Sequence, residues 1–206
     1  MNQTLRGATL LALSLLATSA SAQLLSPSQQ PSRLVPYTTC TFSGGLTVTS
    51  VDRAPNLPMI RSVETASGTK RVSVADGYRI MLAFPNTDPF VNLKVEVSVS
   101  GQYASDKRAV LEQMETMAAG ARGVTMKVER SVINGVEVAA LNNPTLEASG
   151  LSFYSLFDDR REMIVTAYIL NQRPERRAFR DMASYQRLRD AFVQEYVQCM
   201  SKNRSL

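Results

Sequence analysis

The sequence contains no histidine and no tryptophan, and its cysteines number two, Cys40 and Cys199. Without histidine there is no Ser-His-Asp or Cys-His nucleophile pair and no His-ligated metal, so the commonest general base and the commonest metal ligand are both excluded. Nine Pro and ten Gly in 206 residues are too few for a fibrous or low-complexity chain, and 44% hydrophobic residues are too many for a disordered one. What remains is a globular domain of ordinary composition. No residue set reads as catalytic, and none reads as a cofactor or metal site.

Residues 1–22 read as a secretory signal peptide: Arg6 supplies the positive start, Ala8 to Ala17 the apolar run, and Ala20-Ser21-Ala22 the small-residue cleavage site. The apolar run falls short of the ~20 residues needed to span a bilayer. The expected product is a periplasmic or secreted protein cleaved after Ala22, with no transmembrane segment left. In an oxidising compartment an isolated cysteine pair reads as a structural disulfide, so Cys40 and Cys199 are expected to bridge. Such a bridge closes a loop of about 160 residues, and the chain-entropy model puts its effect at up to about 5 kcal/mol.

Residues 23–36 are rich in Ser, Gln and Pro and read as a flexible lead-in, followed by a single α+β domain over 37–206. Val91–Ser100 is the clearest strand, with valines and a leucine on one face and polar side chains on the other. Tyr78–Phe84 alternates in the same way and stops at Pro85. Further strands are expected at Leu46–Val51, Met59–Glu64, Lys70–Val74, Val124–Ser131, Val136–Leu141, Leu151–Phe157 and Glu162–Leu170. Asn134-Gly135 marks a two-residue hairpin, and Asp158-Asp159-Arg160 a second reversal. One helix is expected from a cap at Ser105 or Asp106 to Ala119, and a second from Pro174 to about Ser201 with Cys199 on its apolar stripe. The late strands are apolar on both faces, so both faces need cover. The expected fold is a largely antiparallel sheet with the mid-chain helix on one face and the long C-terminal helix on the other.

The run Gly77-Tyr78-Arg79-Ile80-Met81-Leu82-Ala83-Phe84-Pro85, then a polar-alternating strand, a helix, hairpins ending in Tyr154-Ser155-Leu156-Phe157-Asp158-Asp159 and a closing helix, resembles the PsbP-like superfamily over about 70–199. The resemblance implies an antiparallel sheet between helices. It also implies a non-catalytic interaction module, since members serve as extrinsic photosystem subunits, nuclear transport factors and bacterial envelope proteins. No binding motif is matched, so no functional residue carries over.

Charge is distributed unevenly. Residues 160–206 hold ten basic side chains against five acidic ones, while 23–159 is nearly balanced. A strand of about ten residues is ~33 Å long, so the excess splits into two poles rather than one stripe. Arg160 and Arg161 group with Lys202 and Arg204, and Arg173 groups with Arg176, Arg177 and Arg180. The second group falls in the first turns of the expected helix, against its macrodipole. It is therefore a candidate anion site, weighed against a solvated face relieved by Glu175 and an Arg177–Asp181 pair. The connection 142–150, with Asn142, Asn143 and Pro144, is long for a hairpin and is a candidate partner-contact loop. Nothing pairs aromatics with the charge, so nucleic acid is not an expected partner. The expectation is an exported, soluble, non-catalytic binding protein of the bacterial cell envelope, its partner an envelope protein or an anionic surface. The alternatives are an inhibitor or immunity-type protein against a secreted enzyme, and a hydrolase that works without histidine.

Overall fold

A computed structural model describes residues 32–120 and 125–203. The elements run α1 (Val35–Thr38), β1 (Thr47–Arg53), β2 (Met59–Thr65), β3 (Gly68–Ala83), β4 (Pro89–Ser98), α2 (Tyr103–Ala119), β5 (Glu129–Ile133), β6 (Val136–Asn142), β7 (Gly150–Asp158), β8 (Met163–Leu170) and α3 (Met182–Lys202). The eight strands form one sheet in the order β1-β3-β4-β8-β7-β6-β5, with β2 also paired to β3 and every pairing antiparallel. The fold is α+β, as the sequence pattern predicts. The expected signal over 1–22, most of the expected lead-in, Val124 and Arg204 lie outside the described residues.

The 16-residue β3 organises the sheet: its first half pairs with β2, its second half with β1, and its other edge with β4. The sequence reads it as two strands, and the reason is a bulge. Val72 and Val74 pack under α2, whereas Ile80 and Leu82 pack under α3, although all four share one parity. The register shift between Val74 and Asp76 inserts the extra residue that swaps the faces. Gly77 follows the bulge because the backbones crowd there: a Cβ would lie 3.3 Å from Val74 Cγ1 and 3.4 Å from the Val95 carbonyl oxygen.

Each face of the sheet has its own core. On one, α3 lays Tyr185, Phe192, Tyr196 and Val197 over Ile80, Leu93, Val165 and Leu156. On the other, α2 lays Ala109, Val110 and Met114 over Val63, Val72, Phe157 and Ile164. Asn134 and Gly135 both take positive φ (48° and 75°), the backbone that a two-residue hairpin between β5 and β6 requires. The packed domain includes residues that composition alone assigns to the lead-in, for Leu34 is 2% exposed and belongs to the α3-side core.

Both helix starts differ from expectation. In place of a cap at Ser105 or Asp106, α2 begins at Tyr103, and Asp106 turns inward to accept a hydrogen bond from the Ser73 N–H (3.1 Å). The C-terminal helix begins at Met182, not Pro174. Asp181 accepts from the Ser184 N–H (2.7 Å) while the Ser184 hydroxyl accepts from the Asp181 N–H (3.1 Å), a reciprocal cap that fixes the start. Pro174–Arg176 is a single 3-10 turn, and the extended stretch behind it drops Phe179 into the core.

Cys40 and Cys199 form a disulfide, with Cα atoms 5.8 Å apart. The bond ties the segment after α1 to the last turn of α3, where the Tyr196 hydroxyl also donates to the Tyr37 carbonyl (3.2 Å). Among the described residues no helix is long and apolar enough to cross a membrane.

Candidate functional site

Strand alternation puts Leu93 and Val95 under α3, so Asn92, Lys94 and Glu96 project to the opposite face, the one α2 partly covers. Register then builds a row across four strands: Asp52 of β1 stands opposite Arg79 of β3, Arg79 opposite Lys94 of β4, and Lys94 opposite Thr166 of β8. The connection between β1 and β2, pinned where the Ala54 N–H donates to the Gly77 carbonyl (2.8 Å), forms a wall beside this row with Pro55 and Met59. The result is an open groove of about 460 Å³ over Arg79, Lys94, Arg61 and Glu96.

Two of its four arginine and lysine cations are committed within the fold. Arg61 reaches both Glu96 oxygens (Nε at 2.9 and 3.1 Å, Nη2 at 2.8 Å), which neutralises a carboxylate that is only 6% exposed. Arg53 donates to Asp76 (3.1 Å) and lies over the Tyr78 ring. The other two are not. Neither Arg79 nor Lys94 makes a hydrogen bond or close ion pair with a described residue, and their side chains stand directly across from one another. Like charges placed opposite on neighbouring strands repel and destabilise the pairing. Burial, the largest cause, pulls the half-buried Lys94 ammonium below the ordinary lysine range; Glu96 pushes it back up, and Arg61 and Arg79 lower it again.

The surroundings of Lys94 are built in a consistent way. Its Nζ sits 5.5 Å from the centre of the Tyr168 ring. Burial raises the Tyr168 phenol, which feels Arg61 and Arg79 as well as Glu96, so it faces the same cluster as a neutral group. Asn92 Oδ1 and Thr166 Oγ1, flanking Lys94 along and across the sheet, are buried and take no hydrogen bond from a described residue. Chemically, the groove presents two uncommitted cationic donors beside the apolar side chains of Ala54, Pro55 and Met59.

The arginines that charge clustering singles out have other roles. Because α3 starts at Met182, none of them occupies its first turn. Arg173 and Arg176 converge on Asp88 at 2.7 and 3.1 Å, and Arg173 hydrogen bonding holds the Asp88 carboxyl down at about 2. Arg177 donates to the Gln172 carbonyl (3.2 Å) and lies over the Phe179 ring, so it props the loop that buries Phe179. Arg180 is exposed, just before the Asp181 cap. At the other pole, Arg161 reaches the Asn203 carbonyl at the end of α3 and pairs with the buried Asp158 (3.7 Å). A cavity of about 800 Å³ lies there, but Asp159 and Glu162 line it beside Arg160 and Arg161, so its charge is mixed. In the expected contact loop, Asn142 accepts from Ser152 (2.7 Å) and Tyr154 (3.1 Å), and Asn143 accepts from the Thr145 N–H (3.0 Å) to close a turn. Pro144 is exposed.

No protein-family model, curated protein or solved structure matches the chain. The sequence pattern does not single out Arg79 or Lys94. The signal was present in the polar face of Val91–Ser100, but its meaning depends on β4 lying in mid-sheet beside Arg79.

Proposed function

We propose that the chain is an exported binding protein that takes an anionic ligand in the groove between the β1–β2 connection and the sheet. The observation that carries this reading is the Arg79–Lys94 pair: two cations directly opposed, one of them half-buried, with no described acceptor. A bound anion converts that repulsion into two charge-assisted hydrogen bonds. The Cys40–Cys199 disulfide supports a site of action outside the cytosol, in keeping with the signal read over 1–22. The PsbP-like resemblance of the sequence over about 70–199 implies a role in binding rather than in catalysis. The periplasm or the extracellular space is the expected compartment, and an envelope component the expected source of the ligand.

The test is an NMR titration at low ionic strength with acetate and, separately, inorganic phosphate, on the protein and on an Arg79→Gln/Lys94→Gln variant. Amide shifts confined to β3, β4 and the β1–β2 connection, and lost in the variant, are expected. Shifts that persist unchanged in the variant, or none at all, overturn the reading. N-terminal sequencing of the protein recovered from fractionated cells tests export, with Gln23 expected first.

A further inference from the structure

We infer that the ligand of this groove is an organic monocarboxylate with an apolar body. This inference rests on the anion-binding reading above and deepens it.

Charge counting fixes the valence. The Arg61–Glu96 and Arg53–Asp76 pairs are each neutral, which leaves the row Asp52, Arg79, Lys94. That row carries one net positive charge. A monoanion neutralises it, whereas a phosphate dianion brings surplus negative charge toward Asp52, which faces Arg79 from β1. Donor geometry agrees: a guanidinium fork matches the two oxygens of a carboxylate, and an ammonium adds a compact charge from the next strand.

Shape fixes the rest of the molecule. A groove of about 460 Å³ is far larger than a bare carboxylate group, and sites of about 300–1,000 Å³ are those that enclose organic ligands. The wall beside the cations is Ala54, Pro55 and Met59, with no titratable group among them. Tyr78 also lines the groove, and the Tyr168 ring lies 5.5 Å from Lys94 Nζ beside it. A ligand with its carboxylate on Arg79 and Lys94 therefore lays its remaining atoms against apolar surface, and their burial adds about 25 cal/mol per Å² removed from water.

Calorimetric titration of the intact protein with octanoate, octanamide and inorganic phosphate separates the possibilities. Octanoate is expected to bind at least tenfold more tightly than either of the other two. Lys94→Met is expected to weaken octanoate at least tenfold while leaving the circular dichroism spectrum unchanged. Met59→Gln is expected to weaken octanoate several-fold without altering the acetate response. If phosphate binds and octanoate does not, the ligand class falls while the anion reading stands. If no anion binds, both fall. Equal binding of octanoate and octanamide, or octanoate binding that survives Lys94→Met, also overturns the inference.

Discussion

The two faces of the sheet solve different problems with the same strands. Under α3 every inward side chain of β4 and β8 is apolar, and aromatic rings interlock: Phe90 lies 5.3 Å from Phe84, 6.3 Å from Phe179 and 6.5 Å from Tyr185. Under α2 the same two strands present Lys94, Glu96 and Thr166, and the helix covers only part of the surface. One face is closed and held by hydrophobic burial and a disulfide. The other keeps a half-buried cation facing a second cation, an arrangement that burial alone does not favour. The difference teaches that stability resides in the α3 side and that the α2 side gives some of it up to keep its charges.

The comparison is sharpest where the largest loss is expected. Phe90→Ala empties a fully buried ring site in the aromatic cluster, and a loss of about 3–5 kcal/mol is expected in denaturant unfolding. A loss below about 1 kcal/mol breaks the claim that the α3 face carries the fold. Next comes the paired change Cys40→Ser with Cys199→Ser, which frees a loop closed over a sequence separation of 159. About 2–4 kcal/mol is expected to be lost, read as a lower denaturant midpoint.

On the opposite face the sign reverses. Lys94→Met keeps the length of the side chain and removes the repulsion with Arg79, so stability is expected to rise by about 0.5–1 kcal/mol. For a domain of this size that is about 1–4 °C in Tm. A fall in Tm places Lys94 among the stabilising contacts and ends the contrast between the faces.

The smallest expected effect is on pH dependence. Anion binding favours the charged Lys94, so octanoate affinity is expected to be level while Lys94 is protonated in both the free and bound protein. It then declines as pH rises through the free-state value, which lies below the ordinary 10.5. Glu96, Arg61, Arg79, Asp52 and Tyr168 face the same space, and burial shifts the Tyr168 phenol upward. Lys94→Met is expected to flatten the profile, and an unchanged decline assigns it to another group.

Much of the fold is legible in the sequence because alternation and helical stripes are local. The antiparallel sheet and the two covering helices follow from them, and the Cys40–Cys199 bridge follows from an isolated cysteine pair in a chain read as exported. The misread elements share one cause, a nonlocal partner outweighing a local signal. Asp106 looks like a cap but is taken by the Ser73 amide. Pro174 looks like a helix start, yet the Asp181–Ser184 cap wins because the stretch before it must bury Phe179. The bulge after Val74 looks like a loop between strands. The candidate site is the least legible part. Arg173 and its neighbours stand out by clustering along the chain, yet Asp88, 85 residues away, engages Arg173 and Arg176. Arg79 and Lys94 meet only through strand register, which no local window contains.

The Cys40–Cys199 bond has one more consequence. A protease that nicks any exposed turn lying between these two positions severs the backbone without releasing either piece, because the sulfurs still hold them together. Such a nicked molecule migrates as a single band until reductant is added and as two afterwards, so a single cut leaves both pieces joined.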